Sequence, residues 1–277
     1  MTGRLYSLAH LTALPCAPPE LVQIAADAGC GACGVRLMPA TPGGTAYPLM
    51  SDAALLRETL ARAAGTGVRI FDLEIIRIAE GFDARAHLAF FEVGQRLGAR
   101  AVLVAGDDAD EARLTANFAA LCDAAAPYGL TCDLEFMPWT AVKQVAAAAR
   151  IVRGASRPNG GVLVDAIHFA RSGSTHAEVA ALPREWLHYA QVCDAAVPAP
   201  TTVEGLIHDA RCARLLPGEG GIDLPALFAQ LPGALPVSIE IPHDARAAAL
   251  GYRAWAAAAT RAARAALEGA RGAGPAG

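Results

Sequence analysis

Charge is scarce in this chain and nowhere concentrated. Only 18% of the 277 residues are charged, 23 basic against 27 acidic for a formal net of −4. A nucleic-acid-binding protein carries a basic footprint, and none is present, so no nucleic-acid partner is expected. Long apolar runs are missing too. No stretch approaches the roughly 20 residues that span a bilayer. The opening MTGRLYSLAHLTALPC offers no unbroken apolar segment for a signal peptide, because His10 interrupts its best one. Cysteine is limited to seven, an odd number scattered through apolar segments. That usage suits small core residues in a reducing compartment rather than a disulfide framework. The expectation is a cytoplasmic protein whose partner is a small molecule, with no membrane partner and a homo-oligomer left open.

What is present in quantity is hydrophobic mass, 54% of the chain, enough for a large buried core. Short β-like runs recur: RLYSLAH, GVRLM, VRIFDLEII, RAVLVAG, LTCDLEFM, GVLVDAI, LHYAQVCD and PVSIEIP. Between them lie Ala/Leu/Arg-rich stretches with helical spacing. Ser51-Asp52 opens one helix, and Gly65 or Gly129 closes another. A last helix is expected from Asp244 to about Glu268, its arginine face turned to solvent. Eight strands alternating with helices predict an α/β fold, a (β/α)8 TIM barrel in a single domain over 1–268. A flexible tail over 269–277 follows.

GCGACG, Gly29 to Gly34, matches both G-x-G-x-x-G and C-x-x-C. A dinucleotide fingerprint needs a strand before it and a helix after it. Here the order is reversed. Cys30 and Cys33 have no helix N-terminus to activate a thiol, and no second C-x-x-C completes a zinc site. The stretch reads as a helix-to-strand turn built from small residues.

Polar residues at strand C-termini matter most in such a barrel, because chemistry gathers there. Strands five to eight deliver Glu135, Asp165, Gln191 and Glu240. Alternation puts Asp133 on the same face as Glu135, and Ser238 on the same face as Glu240. A lone strand-end carboxylate is usually a cap or an ion-pair member. Four such residues on consecutive strands converge on one mouth, where three carboxylates repel unless a cation joins them. An all-oxygen set suits Mn²⁺ or Mg²⁺, with Co²⁺ an option.

LEFMPW, VLVDAIHFARSG, YAQVCDA, RLLPGEGGIDL and SIEIP resemble, in order and spacing, the motifs of the xylose isomerase-like TIM barrel superfamily. The resemblance implies that Glu135, Asp165, Gln191 and Glu240 hold one divalent metal. It implies that His168 faces the substrate and that Glu135 and Glu240 act as paired bases. The implied activity is isomerisation or epimerisation of a hydroxy-carbonyl compound, a keto sugar or hydroxy-oxo acid, through a metal-stabilised enediolate. The alternative is a dehydratase of 3-dehydroshikimate or 2-keto-inositol type, because Gln191 stands where many ketose 3-epimerases place His. In that case His168 protonates the departing hydroxyl.

Substrate contacts are expected from Arg77 and Glu74 on the third strand, Arg36 on the second, Arg214 in the loop before PGEGG, and Trp139 as an apolar wall. Arg211 is expected to face solvent. The stretch from Pro39 to Met50 is long for a strand-to-helix connection and is a candidate lid, with Tyr47 more suited to anchoring it than to touching substrate.

Overall fold

A computed structural model of the chain describes residues 3–269. Eight parallel strands close in sequence order into a barrel: β1 (Tyr6–Leu8), β2 (Ala32–Arg36), β3 (Arg69–Ile78), β4 (Ala101–Gly106), β5 (Thr131–Glu135), β6 (Gly160–Asp165), β7 (Ala190–Val192) and β8 (Val237–Ile239). Helices α1 (Pro18–Asp27), α2 (Ala53–Thr66), α3 (Leu88–Leu97), α4 (Glu111–Ala125) and α5 (Val145–Ala155) serve the first half. The second half carries α6 (Ala166–Ser172), α7 (His176–Ala180), α8 (Val203–Cys212), α9 (Leu224–Ala229), α10 (Asp244–Leu250) and α11 (Tyr252–Gly269). The expected single-domain (β/α)8 barrel is the fold. Among the described residues no helix is long and apolar enough to cross a membrane.

Strand alternation sorts the side chains. Leu8, Val35, Leu73, Leu134, Val162 and Ile239 point outward into the main core beneath the helices. A second, smaller apolar cluster including Leu103, Ala105, Leu163 and Tyr189 fills the barrel interior, as the layered packing of this architecture requires. The remaining inward positions are polar and form the site described below.

Local signals mostly act where expected. Asp52 Oδ1 accepts hydrogen bonds from the Ala54 and Leu55 amides and starts α2. That helix runs on through Gly65 and stops at Gly67. Gly129 ends the 3₁₀ turn that extends α4. The GCGACG turn is shorter than expected, because Ala32 to Gly34 already belong to β2. Cys30 and Cys33 are free and buried, and burial pushes both thiols up. The single helix expected from Asp244 to Glu268 is two helices, broken at Gly251. There φ is +79°, a conformation that side chains with a Cβ resist. The expected tail lies outside the described residues, apart from Gly269 at the end of α11.

Candidate active site

The C-terminal ends of β5 to β8 bring Glu135, Asp165, Gln191 and Glu240 together, all buried. Potential ligand atoms of Glu135, Asp165 and His168 lie within 4.8 Å of one another. His168 Nε2 is 3.8 Å from Glu135 Oε1. Asp165 has two duties. Its Oδ1 accepts from the Ile167 and His168 amides, capping α6 and swinging His168 over the mouth, while Oδ2 accepts from Arg214 at 2.6 Å. Glu240 is engaged on both oxygens: Gln191 Nε2 donates to Oε1 at 3.0 Å, and Arg214 Nη2 lies 2.7 Å from Oε2.

One guanidinium cannot balance three buried carboxylates. Burial, then the charges of Asp165 and Glu240, push Glu135 well above the usual carboxylate range. Burial raises Glu240 to about 7, with Asp165 adding to the rise and Arg214 opposing it. Asp165 also pays for burial, but Arg214, His168 and the cap hydrogen bonds outweigh that and hold it low. Burial lowers His168 to about 4, with Arg214 adding to the fall and Asp165 opposing it, so the imidazole is neutral at pH 7.

Above this floor is a cavity of about 300 Å³. Arg36, Arg77, Arg211, Trp139 and the 39–50 segment, through Ala40, Thr41, Gly44 and Thr45, contribute to its wall. Trp139 meets His168 edge-on, ring centroids 5.1 Å apart. Arg77 donates twice to Asp107, at 2.6 and 2.7 Å. Glu74 is fully buried behind Arg36: it accepts from Arg36 Nε at 2.9 Å and from the His10 amide at 3.0 Å. Arg214 is likewise buried between Asp165 and Glu240 rather than on the wall. Arg211, expected in solvent, faces the cavity. Tyr47 anchors its loop, donating to the Leu14 carbonyl at 2.8 Å and stacking on His10.

Two buried polar groups near the site were not singled out from sequence. Asp72 is fully buried, and among the described residues neither carboxylate oxygen has a hydrogen-bond partner. It packs where Gly34 lacks a side chain, since a Cβ there would lie 2.5 Å from Asp72 Oδ2. Asp72 lies two residues before Glu74, a spacing that alternation alone would have placed on the same face. His10 accepts from the Arg36 amide at Nδ1 and contacts the Cys16 carbonyl through Nε2.

The residues fit a divalent cation. Among the described residues Glu135 Oε1 and Gln191 Oε1 are buried with no hydrogen-bond partner, both are hard oxygens, and the floor carries an excess of negative charge. A family model described as xylose isomerase-like TIM barrel matches residues 22–268. The chain belongs to that family.

Its relatives include a 3-dehydroshikimate dehydratase of Pseudomonas aeruginosa, 30% identical in a match 173 residues long that covers 59% of this chain and 26% of that protein. The chain therefore matches only about a quarter of that relative. Two solved structures share the fold. A xylose isomerase-like TIM barrel/4-hydroxyphenylpyruvate dioxygenase fusion protein superposes with a TM-score of 0.81 at 23% identity, over 98% of this chain and 43% of that one. The IolI protein, solved with a zinc atom, gives 0.76 at 20% identity, over 96% and 98%. Epimerase and dehydratase activities both occur among the proteins this chain resembles.

Proposed function

We propose that the chain is a divalent-metal-dependent dehydratase, removing water from a β-hydroxy carbonyl compound of 3-dehydroshikimate or 2-keto-inositol type. The observation that carries this reading is the asymmetry of the two glutamates. A two-base isomerase needs Glu135 and Glu240 both free to exchange protons on opposite faces of the substrate. Both oxygens of Glu240 are held, by Gln191 and Arg214, whereas Glu135 stands beside His168 and its Oε1 has no hydrogen-bond partner among the described residues. That leaves one proton-handling pair on one side of the cavity, which suits elimination. The dehydratase relative supports the same choice.

Glu135, Asp165, Gln191 and Glu240 would hold the metal, Mn²⁺, Mg²⁺ or Co²⁺. Such a cation supplies positive charge where the carbonyl oxygen becomes negative as the α-proton leaves. The neutral imidazole of His168 is an available acceptor for that proton. Once protonated at Nε2, it lies 3.8 Å from Glu135 Oε1, which a bound cation would favour in its ionised form, and it passes the proton to the departing β-hydroxyl, which leaves as water. Trp139 packs on the imidazole and fixes its plane. Arg214 holds Asp165 and Glu240 in place, keeps Asp165 ionised and opposes the rise of Glu240.

Proton NMR in D₂O of the Mn²⁺-loaded protein with 3-dehydroshikimate, 2-keto-inositol, hydroxypyruvate and keto sugars tests the proposal. Loss of water to an enone or aromatic product is expected. Deuterium beside a carbonyl with the hydroxyls retained would make the enzyme an isomerase instead.

A further inference from the structure

Three guanidiniums face the cavity, and two are already neutralised. Arg36 is paired with the buried Glu74, and Arg77 is gripped on two nitrogens by Asp107. Arg211, in the last turn of α8, is different. It is half buried, and among the described residues no carboxylate pairs with it and no acceptor takes a hydrogen bond from its side chain. Burial and the neighbouring charges of Arg77 and Arg36 act against its ionisation. A guanidinium in such a place is a standing cost to the fold, and an anion entering the cavity removes it.

The charges decide which anion. On the floor, Glu135, Asp165 and Glu240 oppose Arg214 and a divalent cation, which cancels. On the wall, Arg36 with Glu74 and Arg77 with Asp107 cancel too. Arg211 is left over among the guanidiniums, and Asp244 at the exposed rim lines the same cavity without an ion pair to it among the described residues. A neutral cyclitol or keto sugar would leave Arg211 unpaired. A phosphorylated sugar would bring more negative charge than it can match.

We propose that Arg211 is the specificity residue for a substrate carboxylate, so that the enzyme takes a monoanionic hydroxy-oxo acid with its carboxylate on the wall and its carbonyl and hydroxyl oxygens on the floor. The planar fork of Arg211 suits two parallel hydrogen bonds to a carboxylate, and Arg77 next to it adds attraction at longer range. This rests on the dehydratase reading of the same site and narrows it to acids, excluding the neutral 2-keto-inositol type.

The experiment is calorimetric titration of the Mn²⁺-loaded protein with shikimate, quinate and glycerate, each against its methyl ester, in wild type, Arg211→Gln and Arg211→Lys. Circular dichroism melting checks that the variants fold. Wild type should bind at least one acid roughly 10- to 100-fold more tightly than its ester, the range for one charge-assisted pair. Arg211→Gln should erase that preference by weakening acid binding alone, and Arg211→Lys should restore part of it. With 3-dehydroshikimate as substrate, the Arg211→Gln loss should appear mainly in KM. Equal binding of acids and esters by wild type, or an unchanged preference in Arg211→Gln, overturns the proposal whatever reaction the enzyme performs. An acid preference that depends on Arg211, without loss of water from any substrate, leaves it standing and removes the dehydratase reading.

Discussion

Arg214 Nη1 lies 2.6 Å from Asp165 Oδ2, and both side chains are sealed from solvent. The same guanidinium reaches Glu240 and donates from Nε to the Ala210 carbonyl. It therefore ties the end of β6, the end of β8 and the last turn of α8 into one unit. Removing one member of a buried pair leaves an uncompensated charge, at a cost of about 3–5 kcal/mol. Arg214→Gln should lower the unfolding midpoint in urea accordingly. Saturating Mn²⁺ should recover part of the loss by supplying the missing positive charge. A variant as stable as wild type without metal would show that the pair contributes nothing to the fold.

Asp72 is the opposite case, a carboxylate with no hydrogen-bond partner among the described residues. Burial, then the charges of Glu74, Glu240 and Asp133, push it well above the usual range. Because the folded state holds this proton more tightly than the unfolded chain, its contribution to stability is greatest at acid pH and is lost as pH rises. Asp72→Asn keeps the shape and removes the ionisable group. It should melt at a higher temperature than wild type, with the advantage growing between pH 5 and pH 8. A difference in melting temperature that does not change with pH would contradict this.

The barrel and its strand ends were legible in the sequence because both depend on short-range pattern. An apolar run that stops at an acid, as in VLVD, marks a strand that delivers Asp165, and one-in-two alternation aligns Glu135 with Asp133. Arg214 was expected at the site, but its burial between Asp165 and Glu240 and the place of Arg211 on the cavity wall were not legible, because what sets them is long-range. Past α8 the chain makes isolated bridges from Ala213 to His243 and from Asp194 to Leu215. Those pairings turn Arg214 under the barrel mouth and leave Arg211 on its wall. Helical periodicity carries no information about a bridge to a residue 30 positions away. The break at Gly251 escaped for a related reason: both flanks are good helix formers, and nothing local says on which side of the barrel each must pack.

His10 predicts acid sensitivity. It accepts from the Arg36 amide at Nδ1, so Nε2 carries the proton and donates to the Cys16 carbonyl. A second proton has no room without breaking the first bond. Burial, opposed by Glu74, lowers its pKa to about 4. Its folded-state pKa is thus below the unfolded value near 6.5, and the unfolded chain binds the extra proton first as pH falls. The contribution to stability is complete above about pH 6.5 and is lost towards pH 4, on the order of 3 kcal/mol at 1.4 kcal/mol per unit. Denaturant melts of His10→Gln should start lower at pH 7 yet decline less steeply between pH 6.5 and pH 4. Parallel slopes for the two proteins would exonerate His10.

The two glutamates at the mouth separate elimination from two-base exchange. Glu135 and His168 sit together, while Glu240 is committed to Gln191 and Arg214. If one proton-handling pair does the chemistry, His168→Gln should cut kcat by roughly 10²–10⁴, the usual loss of a general acid or base, with metal affinity nearly unchanged. Glu240→Gln removes a charge from the metal set, so its defect should appear first as weaker Mn²⁺ binding, and excess metal should relieve part of it. A two-base isomerase predicts another pattern: Glu240→Gln loses turnover that no metal concentration restores, equal in size to the loss in Glu135→Gln. Titrating Mn²⁺ against each variant, by calorimetry and by rate, decides between them.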